Sequence, residues 1–306
     1  MLIVLALGGN ALLKKGEPLE ADIQRDNIVR AARSIAEIAG DHILVITHGN
    51  GPQVGLLALQ GESYKSVRPY PLDILDAESA GMLGYQLAQQ LLNAMPEREV
   101  VALLTQVLVD GNDRAFKQPT KPIGPVYKKS DKQRLADQAG WTMVEVDGGL
   151  RRVVPSPEPQ RILELPSIKL LTEHGVMVVC AGGGGIPVLM DHQGKLQGVA
   201  AVVDKDLTSA VLATELRADR LLLLTDVDAV YADWGADTAR PMNRATIGEL
   251  AQQHFEAGTM GPKIAAACRF VAAGAARGGG VSAHIGNLDN IADIVAGRGG
   301  TVIIAG

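Results

Sequence analysis

Leu2-Ile3-Val4-Leu5-Ala6-Leu7-Gly8-Gly9-Asn10 opens the chain with an unbroken apolar run that stops on two glycines. A short apolar run bounded in this way reads as a buried strand of a parallel sheet. The pattern returns where Ile43–Thr47 meets His48-Gly49-Asn50-Gly51, and again where Val176–Cys180 runs towards Gly182-Gly183-Gly184-Gly185. Glycine lets a turn take positive φ and brings main-chain N–H groups up to an anion with no Cβ in the way. A helix-like stretch or a proline follows each turn, which is the setting of a phosphate cradle. Three such turns on separate parallel strands would line one edge of one sheet, where open α/β sheets bind their ligands. The chain therefore reads as an α/β fold with a site for polyanions.

Outward from the first turn, Ile28, Ala31, Ala32, Ile35, Ile38 and Ala39 recur at helical spacing up to Gly40, so a strand, a turn, a helix and a second strand follow in order. Leu83, Leu87 and Leu91 predict another helix, ahead of a strand at Val100–Leu104. Between Asp110 and Pro166 the alternation stops. Prolines 119, 122, 125, 155, 157 and 159 and many charges predict an irregular excursion, with one short helix near Ser130–Ala139. Alternation resumes with a helix from Ser167 to His174, the strand Val176–Cys180, a helix Asp206–Leu216 and a strand Leu221–Thr225. Thr246-Ile247-Gly248-Glu249 is a capping box that opens a helix ending near Ala257-Gly258. Pro262 opens the next helix, and strands Val281–Ile285 and Thr301–Ile304 flank a helix at Ile291–Val295.

The bulk properties narrow the function. With 306 residues, 47% hydrophobic and only 3% aromatic, the chain suits a two-lobed α/β protein with a large core. A net charge of −5 and no basic stripe argue against a nucleic-acid partner. No window approaches the roughly 20 apolar residues of a membrane span, and the start carries no basic leader, so no membrane partner is expected. Cys180 and Cys268 form neither a disulfide framework nor a metal motif, which places the chain in a reducing cytoplasm.

Anion binding needs cations beside the N–H donors, and three lysines stand in suitable contexts. Lys121 lies within Pro119-Thr120-Lys121-Pro122-Ile123-Gly124-Pro125, Lys205 between Asp204 and Asp206 at a helix entry, and Lys263 just after Gly261-Pro262 at another. A single lysine reads as solvated surface charge, and Asp204-Lys205-Asp206 as a surface cluster with an N-cap. Agreement with the glycine turns favours function instead, with the flanking carboxylates holding the lysine in one orientation for a phosphate. Gly182–Gly185 could equally serve strand-helix packing, and Asn10 and Asn50 could simply occupy left-handed positions. His48 reads as a satisfied core histidine, and His42, His174, His192, His254 and His284 lack ligand spacing for zinc. No Walker sequence, dinucleotide fingerprint or G-x-S-x-G elbow is present.

Nine segments carry a resemblance along the whole chain: Ala6–Ala11 (ALGGNA), Thr47–Gly55 (THGNGPQVG), Met82–Tyr85 (MLGY), Thr105–Asp110 (TQVLVD), Pro119–Pro125 (PTKPIGP), Val153–Pro157 (VVPSP), Gly182–Val188 (GGGGIPV), Ala201–Leu207 (AVVDKDL) and Gly258–Lys263 (GTMGPK). In these the chain resembles the carbamate kinases of the amino-acid kinase fold. The resemblance implies an αβα sandwich with a mainly parallel open sheet and a protruding lid subdomain at 110–160. It divides the chain into a carbamate- and phosphoryl-binding lobe over 1–205, which contains the lid, and a nucleotide-binding lobe over 206–306.

The implied reaction interconverts ATP plus carbamate with ADP plus carbamoyl phosphate. Mg²⁺ enters on the nucleotide phosphates, without protein ligands. Carbamate is already anionic, so the transfer needs no general base, which suits a chain offering lysines and N–H groups. By resemblance Gly8, Gly9 and Asn10 meet the transferred phosphoryl, Gly49, Asn50 and Gly51 the carbamate, and Lys121 reaches the acceptor from the lid. Lys205 bridges the phosphoryl, oriented by Asp204 and Asp206, while Lys263 contacts the nucleotide phosphates. Gly183, Gly184, Thr225, Asp226, Val227, Tyr231 and Met260 fall to the nucleotide.

A cytoplasmic homodimer is also implied, forming ATP as carbamoyl phosphate is broken down in arginine or purine nitrogen catabolism. Another carboxylate kinase of the same fold, or a silent nucleotide or metabolite sensor, is the alternative. The chain departs from the pattern at Thr259 (usually Ser), at Arg114 (usually Pro), and at Leu150-Arg151-Arg152, where the family's Gly-Trp instead lies earlier at Gly140-Trp141.

Overall fold

The computed structural model describes residues 1–306 apart from 15, 65, 132–140, 147, 236 and 256–259, and of residue 10 only the main chain. The first half runs β1 (Leu2–Leu7), α1 (Gly9–Leu12), α2 (Ala21–Ile38), β2 (Ile43–His48), α3 (Gly51–Ser63), α4 (Leu72–Ala94) and β3 (Val100–Ala102). β1 alternates between two cores because successive side chains of a strand point to opposite faces. Ile3, Leu5 and Leu7 pack with Ile28, Ile35, Leu83 and Leu87 of α2 and α4. Val4 and Ala6 face the other core, with Leu212, Ala213, Ala267 and Phe270. The sheet is thus covered on both sides, as the αβα expectation requires.

Beyond β3 come β4 (Gln106–Leu108) and then β5 (Lys121–Tyr127), β6 (Thr142–Val146) and β7 (Gly149–Val154). These last three make an antiparallel sheet in the order β5-β7-β6. The excursion expected to be irregular is therefore a small sheet. Its strands lack the apolar alternation that would betray them, because most of their side chains are exposed or half-buried and prolines interrupt β5. Trp141 serves as its local core: the ring meets Tyr127 edge-on at 5.9 Å, and the Arg152 guanidinium sits 4.2 Å over it. This is how the displaced Trp141 and Leu150-Arg151-Arg152 build the base of the excursion. The helix expected near Ser130–Ala139 falls largely outside the described residues, whose last part here is a 3₁₀ turn at Lys129–Asp131.

The chain returns through β8 (Arg161–Ile162), α5 (Leu165–Glu173), β9 (Met177–Val179), β10 (Ile186–Met190) and β11 (Leu196–Gly198). The third glycine turn leads into β10 rather than into a helix; α6 (Lys205–Glu215) begins only after β11. β12 (Arg220–Thr225), a hairpin of β13 (Val230–Ala232) and β14 (Arg240–Met242), β15 (Arg244–Thr246), α7 (Ile247–Ala251), α8 (Met260–Ala275), β16 (Ser282–Asn287), α9 (Ile291–Val295) and β17 (Thr301–Ile304) complete it. The capping box of Thr246 and Glu249 is formed, and α7 stops at Ala251, short of the expected end.

The main sheet has the order β15-β17-β16-β12-β1-β2-β9-β3. Its pairings are parallel except that of β16 with β17. Strands after residue 206 form one half of it and earlier strands the other.

The lid sheet is joined to the body where two glycines meet. Gly124 in β5 takes φ +68°, and a Cβ placed on Gly55 of α3 would come within 2.2 Å of the Gly124 Cα. No flexible side chain is there to yield, so the main chains themselves touch. Gly55→Ala is expected to cost about 1–3 kcal/mol, as overpacking does. It should expose the lid to limited proteolysis ahead of the sheet core; an unchanged melting temperature and cleavage pattern would show the joint to be loose.

Candidate active site

β1, β2 and β9 lie side by side in register, with Leu7 opposite His48 and Ile46 opposite Val179. Their glycine turns consequently leave the sheet at a single edge. A cavity of about 230 Å³ opens there, walled by Gly8, Gly9, Gly49, Asn50, Gly51 and Gly183, by Asp204, Lys205 and Asp206 at the start of α6, by Lys263 of α8 and by Lys121 of the lid. Residues from both halves of the sheet and from the excursion thus share one cleft.

The charges in it form a chain of contacts. Asp206 bridges two lysines, its Oδ1 accepting from Lys205 Nζ at 2.7 Å and its Oδ2 from Lys263 Nζ at 2.9 Å. Asp204 caps α6, with its Oδ1 accepting from the N–H groups of Asp206 (2.9 Å) and Leu207 (3.2 Å). Its Oδ2 accepts from Lys121 Nζ at 2.5 Å. Of the two aspartates expected to orient Lys205, Asp206 touches it directly, and Asp204 acts on it through charge alone. A capping side chain folds back over the helix entry, which points Asp204 across to the lid, whereas Asp206 in the first turn lies between the lysines of α6 and α8.

Burial lowers the Lys205 pKa below the ordinary lysine value, and the Asp206 carboxylate offsets this only in part. Burial also works against the charge on Asp206, yet Lys205 and Lys263 hold that carboxyl far below the usual range. For Lys263, burial is outweighed by Asp206, Asp204 and Asp226, and its pKa is raised. The Lys205 side chain is 10% exposed and that of Lys121 37%, so one is held inside the body while the other reaches in from the lid. Three ammonium groups meet the two carboxylates that line the cleft at the N-terminus of an eleven-residue helix, whose dipole adds positive potential there.

The glycine turns supply fewer donors than their sequence promises. The Gly8 N–H donates to Leu224 O at 2.9 Å and the Gly49 N–H to Leu7 O at 3.2 Å, because the sheet ladders run one residue past the strands. Both glycines therefore offer a close approach but no free N–H. Among the described residues, the N–H groups of Gly9 and Gly51, which open α1 and α3, stand where a helix has no partner for them. The main chain of Asn10 lies in α1; its side chain is outside the described structure.

Asn50 is held from a direction the sequence reading missed. Its Nδ2 donates to Asp76 Oδ1 at 2.5 Å and to Ser79 Oγ at 2.8 Å, both on α4 and both fully buried. The signal was available: residues 76 and 79 interrupt the stripe that carries Leu72, Leu83, Leu87 and Leu91, and polar groups in an apolar helix stripe need partners. Gly183, assigned to the nucleotide from sequence, lies against this bond at φ +71°, and a Cβ there would come 2.4 Å from Asn50 Nδ2 and 2.5 Å from Asp76 Oδ1. Gly184 is packed behind the α6 entry, accepting from Thr208 Oγ1 at 2.7 Å, and does not line the cleft. His48 is buried, and that burial takes its pKa down to about 4, so it stays a neutral core residue near neutral pH.

Thr225, Asp226, Val227, Tyr231 and Met260 do not line the cavity either. Thr225 ends β12 beside the first turn, and Asp226 O accepts from Asn287 Nδ2 at 3.4 Å. Tyr231 packs edge-on against Trp234 at 5.2 Å with its hydroxyl donating to Asp228, and Met260 opens α8 three residues before Lys263. They belong to the C-terminal half of the sheet and to the loop, hairpin and helix attached to it.

The sequence model described as the Amino acid kinase family matches residues 1–287. A carbamate kinase of Haemophilus influenzae is 51% identical over 304 residues, spanning 99% of this chain and 96% of that protein. One from Rhizobium meliloti is 50% identical, spanning 99% and 93%. Among solved structures, the carbamate kinase of Giardia lamblia bound to AMP-PNP superposes with a TM-score of 0.90 at 38% identity, covering 100% of this chain and 98% of that one.

Burial raises the Asp76 pKa to about 7, with the Asn50 hydrogen bond pulling the other way and Asp73 adding to the rise. The folded protein thus holds this proton more tightly than the unfolded chain, whose carboxyl titrates near 3.8. Asp76 favours folding at pH below about 4, and that contribution is lost as pH climbs to about 7. Asp76→Asn, which mimics the protonated form, should therefore gain several degrees of melting temperature over the native chain at pH 8 relative to pH 5. A pH-independent difference would contradict the buried titration.

Proposed function

Because the chain belongs to the amino acid kinase family, on the side of the carbamate kinases, we propose that its cleft carries out carbamate kinase chemistry with the residues gathered there in named roles. The activity is reversible phosphoryl transfer between ATP and carbamate, giving ADP and carbamoyl phosphate. The observation that carries the reading is the joining of Lys121, Lys205 and Lys263 through Asp204 and Asp206 in one cleft. His48, in the core behind the second glycine turn, is buried with a pKa of about 4. A carbamate oxygen attacks unaided, so positioning and charge neutralisation are what the protein has to supply.

In this reading Lys205 bridges the moving phosphoryl, and Lys263 holds the nucleotide phosphates. Lys121 leaves Asp204 to meet the acceptor as the lid closes, while the N–H groups of Gly9 and Gly51 face the transferred group and the carbamate. Thr225, Asp226, Val227, Tyr231 and Met260 border the base, so residues 206–306 act as the nucleotide lobe and 1–205, with the lid at 110–160, as the acceptor lobe. Asp204 and Asp206 are each in contact with lysines. The donor set suits phosphate oxygens, and Mg²⁺ accordingly travels on the nucleotide, where it neutralises phosphate charge.

A homodimer is supported by the exposed Met82, Tyr85 and Leu92 of α4 beside the exposed Leu104, an apolar strip that a second copy would cover. Cytoplasmic residence is supported by the free Cys180 and Cys268. The physiological direction proposed is ATP formation from carbamoyl phosphate.

Purified protein given ADP, Mg²⁺ and carbamoyl phosphate should produce ATP; binding of ATP without its production would point to a sensor instead. Lys205→Ala should lower kcat about a hundredfold or more while changing nucleotide affinity far less, as for a group whose contact strengthens in the transition state. Unchanged turnover would remove Lys205 from that role.

A further inference from the structure

Asn50 offers a ligand one of two faces: an amide nitrogen that donates or a carbonyl oxygen that accepts. Its orientation is settled by Ser79. The single hydroxyl hydrogen of Ser79 goes to a main-chain carbonyl of its own helix, Leu75 O at 2.9 Å or Asp76 O at 3.0 Å. Towards Asn50 the Ser79 oxygen can therefore only accept, and the atom facing it must be Nδ2, at 2.8 Å. The second amide hydrogen goes to Asp76 Oδ1. Asp76 Oδ2 is buried with no partner among the described residues, so a proton resident on the carboxyl belongs there and leaves Oδ1 an acceptor. Gly183 lies directly against this bond, where any larger side chain would collide with both partners.

With both hydrogens committed to α4, the polar atom that Asn50 has left for the cleft is its carbonyl oxygen. We infer that Asp76 and Ser79 are positioning residues that turn the Asn50 oxygen towards the acceptor, so that the site reads an N–H group and prefers carbamate over an isosteric carboxylate such as acetate. Carbamate and acetate share the attacking carboxylate and differ by an amino group in place of a methyl. Acetate would leave the Asn50 oxygen without a donor inside a desolvated cleft, and sites built around a hydrogen bond reject analogues that lack it. The inference rests on the acceptor-side reading of Asn50 given above.

The test compares two phosphoryl donors at constant ADP and Mg²⁺. With carbamoyl phosphate or acetyl phosphate, the acyl O–P bond breaks, a β-phosphate oxygen of ADP forms the new P–O bond, and carbamate or acetate leaves with ATP. The ratio of kcat/KM values for the two donors measures discrimination. Asp76→Leu combined with Ser79→Ala frees the amide to rotate, and should lower the ratio roughly tenfold or more, mainly through loss on carbamoyl phosphate, with the KM for ADP within about twofold. Ser79→Ala alone, which keeps the helix and its volume, should lower the ratio by a smaller factor and decides the matter should the double variant not fold. Asp76→Asn retains an acceptor oxygen and should keep the discrimination. A native-like ratio in folded Ser79→Ala and double variants, or an equal loss on both donors, overturns the inference while the kinase reading stands. No ATP from carbamoyl phosphate with the native protein overturns both.

Discussion

The cleft depends on one carboxylate. Asp206 lies between Lys205 and Lys263, and all three side chains are largely removed from water. Two ammonium groups in such a place repel each other and lose their hydration, and neither could stay charged there without an opposite charge in contact with both. By bridging them Asp206 keeps two cations in reach of a polyanion and ties α6 to α8. An arriving phosphate offers more negative charge than the aspartate does, so the same lysines that are neutralised at rest can turn to the ligand without leaving the cleft.

The second constraint is contact between main chains. Gly55 and Gly124 allow the lid sheet to seat directly on α3, and from that seat Lys121 reaches the Asp204 that caps α6. One residue thus starts a helix and anchors the lid. Gly183 does comparable work on the opposite wall, where any side chain would push into the Asn50–Asp76 pair. The glycines of this chain matter as much for what they let approach as for the N–H groups they present, and at Gly8 and Gly49 the approach is all they offer, their N–H groups being taken by the sheet.

Much of this was legible in the order of residues. β1, β2 and β9 were marked by apolar runs stopping at glycine, α2 by a clean helical period, and the lysines by their glycine, proline and aspartate neighbours, since these are signals of strictly local physics. The lid sheet was not, because strands wetted on both faces and broken by prolines carry no period-two pattern. Asp76 and Ser79 were passed over because a polar residue in a leucine stripe announces only that it needs a partner, not which one.

The sequence by itself determined the α/β architecture, the sheet edge at which the glycine turns gather, and the kinase family, because strand, turn and helix preferences and motif spacing are written over a few residues at a time. Tertiary structure alone decided the pairings: Asp204 with Lys121 across 83 residues, Asp206 with Lys263 across 57, and Asn50 with α4 across 26. Each of those polar groups has several chemically suitable partners along the chain. Only the packing of the sheet, its helices and the lid brings one of them within hydrogen-bonding distance and buries the bond.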